Sequence, residues 1–311
     1  MQHLDGAYAP NTLRAYRADF SGFIEFCERL ESEPLPADPM LVAEFIQHLA
    51  ETNKSSTIRR KVATISAIHR YSYLEDPTKH PEVKITMRKV NRRLGTRFSQ
   101  ASPINRDILE KMLDQCGDDL RGTRNRMLLL LAYSTLRRRS ELTSLRIEDL
   151  TISDDGAGSI LLRQSKTDQT RSGVLLPIDA AGMKAIYAWL AHSKLSTGYL
   201  LRGIQGDSIN ESLDPGQVSR IFKSIAKQAQ INPLSVSGHS TRIGAAQDLL
   251  NEGKTIGQIM AIVGWSKVDT VMRYVRTGTV STNSNTEAAF QFDLTRSPAP
   301  LPKIVKNMYL K

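Results

Sequence analysis

Between Leu13 and Ile68 the apolar residues return at every third or fourth position, and this period commits the first hundred residues to helices. Leu13, Tyr16, Phe20, Phe23, Ile24 and Cys27 form one stripe. A second opens at Asp38-Pro39, a cap followed by a first-turn proline, and runs through Phe45, Ile46 and Leu49. A third opens near Ser55 and Ser56 and turns Ile58, Val62, Ile65 and Ile68 inward, leaving Arg59, Arg60 and Lys61 largely off the stripe. Pro77 and Pro81 are expected to end helical structure and begin a loop. Beyond residue 103 the pattern mixes. Helices are expected over 106–115, 124–133, 180–191 and 217–229, and a hairpin over 160–163 and 173–178 around the polar tip 164–172. Three short helices follow, at 241–251, 256–262 and 266–274, the middle one opened by a capping box of Thr255 and Gln258.

A chain of 311 residues is long enough for two domains. The charge says what kind of partner to look for. The net charge is +10, with a pI near 9.6, which favours a polyanion over an acidic small molecule. Residues 54–97 carry 12 Lys and Arg against 3 acids, a net of +9. So dense a run reads as a surface that contacts phosphates, with Arg59, Arg60, Lys61, Arg88, Lys89, Arg92 and Arg93 as its candidates. A membrane partner fits poorly, because the longest apolar run, 127–133, is far short of the ~20 residues a bilayer span needs. No secretory leader is read at the start, and the protein is expected in the cytoplasm. Cys27 and Cys116 read as reduced structural thiols, and the six histidines show no metal-ligand spacing. No phosphate loop for ATP is present.

The chemistry concentrates in the last third. His239 and Arg242 stand three apart at a helix start, Trp265 follows Gly264, and Tyr274 lies nine residues on. Upstream, three arginines (137–139) lead into Ser140-Glu141-Leu142, and Lys166 sits in the hairpin tip. Breaking a phosphodiester without water or metal needs a nucleophile on the enzyme, and a tyrosine oxygen can serve. Guanidiniums can grip the non-bridging oxygens and stabilise the charge that builds in the transition state. An imidazole can take the phenol proton, an indole N–H can donate one more hydrogen bond, and a lysine can protonate the leaving oxygen. Taken singly, each of these residues has an ordinary structural reading: a packed tyrosine, a solvated lysine, an i,i+3 ion pair. Their order and spacing in one basic chain carry the argument.

That set resembles the tyrosine recombinase (lambda integrase) family. The stretch from Ser237 through His239 and Arg242 to Ala246, with the Gly264-Trp265 pair, is most similar to its Cre branch. Residues 11–17 and the basic linker resemble the family's core-binding domain, so the likeness covers roughly residues 10–277. It implies a mainly α fold: an N-terminal helical core-binding bundle at 1–95, a linker at 96–103, and an α-rich catalytic domain with a small antiparallel sheet at 104–285. Residues 286–311 would be a docking segment and tail, with 287–292 as the subunit-docking helix. It also implies Tyr274 as nucleophile, Arg138 and Arg242 on the scissile phosphate, and Lys166 as general acid. His239 and Trp265 would be hydrogen-bond partners of the phosphate, and Glu141 an orienting residue. Family members work as homotetramers on two double-stranded DNA sites with inverted repeats and need neither ATP nor metal. Two points depart or stay open. Leu136 stands where the family usually has glycine, and the arginine run leaves three choices, of which the family spacing selects Arg138. Three other readings are a type IB topoisomerase-like relaxase, a non-catalytic DNA-binding protein and a membrane-surface protein, the last without a basic amphipathic helix to support it.

Overall fold

A computed structural model of the chain describes residues 6–96, 100–153, 156–164, 173–265 and 268–275. The chain divides into two compact units, Met1–Gln100 and Ala101–Lys311.

The first unit is built from α1 (Pro10–Arg29), α2 (Pro39–Leu49), α3 (Ser55–Tyr71) and α4 (Pro81–Leu94). The stripes seen in the sequence face inward: Phe23, Phe45, Ile46, Ile58 and Ile65 are fully or almost fully buried. Phe45 receives Phe23 and Phe26 with ring centroids 5.1 Å from each, in tilted geometry. Asp38 accepts the Met40 N–H at 2.7 Å and so caps α2 as its sequence suggests. His69 is buried, and its Nε2 accepts the Ala37 N–H at 3.0 Å while Nδ1–H donates to the Ile65 carbonyl at 2.9 Å. It is a satisfied core histidine.

The loop expected from Pro77 onward is corrected by α4. Pro81 sits in the first turn of that helix, where proline has no N–H to lose, and His80 Nδ1 accepts the Glu82 N–H at 3.2 Å. Val83, Thr86 and Val90 are buried, and α4 packs on α2. The opposite side of α4 presents Arg88, Lys89, Arg92 and Arg93 to solvent.

The second unit opens with α5 (Arg106–Leu113) and α6 (Leu120–Thr135). Met127, Leu128, Leu129, Leu131 and Ala132 of α6 are wholly buried, because the helix runs between α8 (Ala180–Ser193) and α10 (Ser240–Asn251). A one-turn helix, α7 (Arg139–Leu142), precedes a three-stranded antiparallel sheet of β1 (Leu150–Ile152), β2 (Gly158–Leu162) and β3 (Val174–Ile178) in that order. Ile160 pairs with Leu150 on one side and Leu176 on the other, and alternation turns Ile160, Leu162, Leu176 and Ile178 into the core. The sequence showed β2 and β3 but not β1, which has three residues and none buried. Two short strands, β4 (Ile204–Gln205) and β5 (Ser208–Ile209), pair before α9 (Pro215–Gln228). The chain then runs through α10, α11 (Ile256–Val263) and α12 (Val268–Val275).

These last helices share a separate apolar cluster of Leu136, Ala245, Ala246, Ile259, Val263, Trp265 and Val271. Leu136 ends α6 in the left-handed region, at φ 51°. A non-glycine residue there costs roughly 1–2 kcal/mol, but a buried leucine side chain is worth roughly 2–5 kcal/mol over alanine, so packing wins. This is the physical reason a leucine can replace the glycine usual at this turn. Cys27 and Cys116 are buried free thiols, and burial pushes both pKa values up to about 11. Among the described residues no helix is long and apolar enough to cross a membrane.

Candidate active site

Arg242 anchors the site. It lies in the first turn of α10, and the run Ser240–Gln247 of that helix is buried throughout. Its side chain is 2% exposed, yet Nε and Nη1 have no hydrogen-bond partner. The nearest carboxylate oxygen, Glu141 Oε2, lies 4.0 Å from Nη1, beyond hydrogen-bond reach. Burial first, and the charge of Arg138 second, push the Arg242 pKa down to about 10. The group is therefore still a cation at neutral pH, desolvated and incompletely paired, an arrangement that costs on the order of several kcal/mol.

The left-handed turn at Leu136 redirects the chain so that three consecutive arginines go three ways. Arg137 is buried and donates to the carbonyls of Thr135 (2.9 Å) and Ile262 (2.8 Å), tying the end of α6 to α11. Arg139 is exposed, with its stem against Gly238. Arg138 is half-buried and bonds Glu141 twice, through its backbone N–H to Oε2 (2.9 Å) and through Nη1 to Oε1 (2.7 Å). Burial drives the Glu141 pKa up, but those two bonds and the charges of Arg138 and Arg242 outweigh it and hold the carboxyl below its usual range. Glu141 thus stands ionised between the two guanidiniums. Of the three, it is Arg138 that bonds Glu141.

His239 caps α10 from an exposed position in the Ser237-Gly238-His239 loop. Ser219 Oγ accepts the Gly238 N–H (3.1 Å) and Ser237 Oγ accepts the His239 N–H (3.1 Å), which fixes the loop. The residue as a whole is exposed, but partial desolvation of its ring and then the charges of Arg242, Arg139 and Arg138 lower the His239 pKa from its ordinary value. The ring is neutral at pH 7 and keeps an acceptor nitrogen.

Gly264 ends α11 in the left-handed region at φ 70°, and the Trp265 N–H returns to the Met260 carbonyl at 3.0 Å. Trp265 is 7% exposed and lies with the Arg242 Cζ 5.6 Å from its ring centroid. On it the ring of Tyr274 stacks at 4.9 Å and 13°. Tyr274 is half-buried in α12, and its backbone carbonyl accepts Gln247 Nε2–H at 3.0 Å. The structure therefore brings together Arg138, Glu141, His239, Arg242, Trp265 and Tyr274. Lys166 and the docking segment 287–292 lie outside the described residues. Sequence reasoning passed over Arg137, whose clamp on α11 no spacing signals, and Gln247. The one cue for Gln247 was a polar side chain following Gly244-Ala245-Ala246.

The basic candidates of the first unit divide. Arg60 forms an ion pair with the buried Asp19, and Lys61 Nζ lies 5.9 Å from the Phe45 ring centroid, so both already work inside their own unit. Arg93 donates to the Ala50 carbonyl at 3.3 Å, and Arg59 lines a 550 Å³ pocket with Lys54.

The fold is that of a tyrosine recombinase. Residues 103–279 match the phage integrase family and residues 3–76 match its N-terminal SAM-like domain, and the chain belongs to that family. It is accordingly an enzyme of site-specific DNA recombination. It is 30% identical over 291 residues to an integrase/recombinase XerD homolog of Selenomonas ruminantium, covering 90% of this chain and 85% of the relative. It is 25% identical over 291 residues to the recombinase Cre of Escherichia phage P1, covering 87% and 85%. Among solved structures it resembles a lambda integrase dimer bound to a COC' core site (TM-score 0.63, 19% identity, 93% of this chain and 78% of that one).

Proposed function

We propose that the protein exchanges DNA strands between two inverted-repeat sites through a 3′-phosphotyrosyl intermediate, in a tetrameric synapse. The observation that carries this reading is the buried Arg242 guanidinium, with two donors unpaired, beside Arg138 and behind the Trp265–Tyr274 stack. A phosphate oxygen between the two guanidiniums compensates the charge that the free protein leaves unpaired. The Tyr274 oxygen attacks phosphorus, the bond from phosphorus to the 5′ oxygen breaks, and His239 takes the phenol proton. Lys166 supplies the proton for the departing 5′ oxygen. Tyrosine has an ordinary pKa of ~10, so a neutral imidazole and nearby cations are what make it nucleophilic at neutral pH. Rejoining reverses each step, with the bond energy kept in the phosphotyrosine, so neither ATP nor metal is required. Glu141 orients Arg138 and Trp265 donates to the phosphate.

Residues 1–95 serve as the core-binding domain and 104–285 as the catalytic domain. The exposed row Arg88, Lys89, Arg92 and Arg93 on α4, with Arg59, meets DNA phosphates, while Arg60 and Lys61 contribute through the folded unit. Support comes from the neighbours, among them a XerH recombinase bound to difH substrate in a post-cleavage complex (TM-score 0.60). The test is a gel assay with two DNA fragments carrying candidate sites. Recombinant fragments are expected. Relaxation of any supercoiled plasmid with no exchange supports the type IB topoisomerase-like reading instead.

A further inference from the structure

Gln247 lies five residues beyond Arg242 on α10 and is about nine-tenths buried, directly after the small, apolar run Gly244-Ala245-Ala246. Its Nε2 donates to the main-chain carbonyl of Tyr274, the residue that bears the nucleophile, at 3.0 Å. Tyr274 is thus held twice, by ring stacking on Trp265 and by a backbone bond from Gln247. Stacking and the burial of Val271 fix how deep α12 sits. Stacking fixes the angle between the rings but lets them slide, and apolar burial is non-directional, so neither sets the register of a short helix. A hydrogen bond to one carbonyl is directional and does. The same helix α10 carries the phosphate-binding cation, so this bond sets the distance from nucleophile to phosphate within one rigid element. Near-attack geometry is steep in distance, and a 1 Å misplacement can cost ~100-fold in rate.

We propose that Gln247 is a positioning residue for strand cleavage, acting on Tyr274 through its backbone and touching no reacting atom. This rests on the recombinase reading of the same site. The test compares full-length wild type, Gln247→Met (similar shape, no donor), Gln247→Glu (similar shape, carboxylate in place of the donor) and Gln247→Lys (donor kept). Each is given saturating target duplex, and single-turnover formation of the protein–DNA adduct is timed. Duplex Kd and the thermal midpoint are measured alongside. Expected are a cleavage rate at least about tenfold lower for Met and Glu, an unchanged Kd and midpoint, and a rate for Lys clearly above that of Glu. Cleavage at the wild-type rate by either donorless variant overturns the inference, as does a rate loss that merely follows lost binding or stability, or a Lys variant no faster than Glu. Wild type that forms no adduct at all overturns the recombinase reading instead, so the two failures are separable.

Discussion

Replacing Arg242 with methionine is expected to raise the thermal midpoint of the DNA-free protein while removing its cleavage activity. The guanidinium is 2% exposed, two of its nitrogens have no partner, and Glu141 stays 4.0 Å away. Glu141 keeps both of its bonds to Arg138 when Arg242 is gone, so no second charge is orphaned. Exchanging a buried, poorly paired charge for an apolar side chain of similar length is worth about 1–3 kcal/mol here. For a unit of this size that is a rise of roughly 2–10 °C. In the proposed mechanism the same substitution removes a buried cation that grips the phosphate, and it is expected to lower the single-turnover cleavage rate by about a thousandfold or more. Melting curves and adduct formation on one preparation check both halves. A lowered midpoint shows that Arg242 is fully paired in the free protein and removes the physical basis of the site.

Gly244→Ala is expected to be strongly destabilising, against the usual direction for a helix interior. Alanine gains about 1 kcal/mol over glycine in helix propensity. A Cβ at position 244, however, falls 1.9 Å from the Ile104 carbonyl oxygen and 2.5 Å from the Asn105 nitrogen. Those are backbone atoms and cannot rotate away. The segment must move off α10 and give up the bond from the Ile104 N–H to the Ser240 carbonyl, 2.9 Å long. Overpacking of this kind costs about 3 kcal/mol or more and wins over propensity. A fall in the thermal midpoint of about 10 °C is expected, together with weakened cleavage, because α10 carries Arg242 and Gln247 and is capped by His239. A midpoint at or above that of wild type contradicts the close crossing.

The helical unit and the site differ in how much of them the sequence displays. The stripes through Phe23, Phe45 and Ile65 were legible because burial on a helix imposes a period. Helix α4 was missed because proline is ambiguous: it ends a helix from inside and opens one at the first turn. His239, Arg242 and Tyr274 stood out as candidates by the order and spacing of the whole set and by the family resemblance that set carries. The choice among Arg137, Arg138 and Arg139 could not be made from residue types, since it depends on the left-handed turn at Leu136 that aims each differently. Charge counting likewise could not tell Arg60, paired to a buried Asp19, from Arg88 or Arg92, which face water. The Gln247 contact joins residues 27 apart through a backbone carbonyl, and no side-chain pattern encodes it.

The proposed reaction path turns on a phenol that becomes esterified to DNA. Duplexes carrying candidate inverted repeats, with a nick that lets the cleaved strand escape, trap that ester, and digestion with mass mapping locates it. The account predicts a 3′-phosphate of DNA on Tyr274, with no adduct from Tyr274→Phe even though that variant still binds the site. An adduct on any other residue, or undiminished cleavage by Tyr274→Phe, contradicts it.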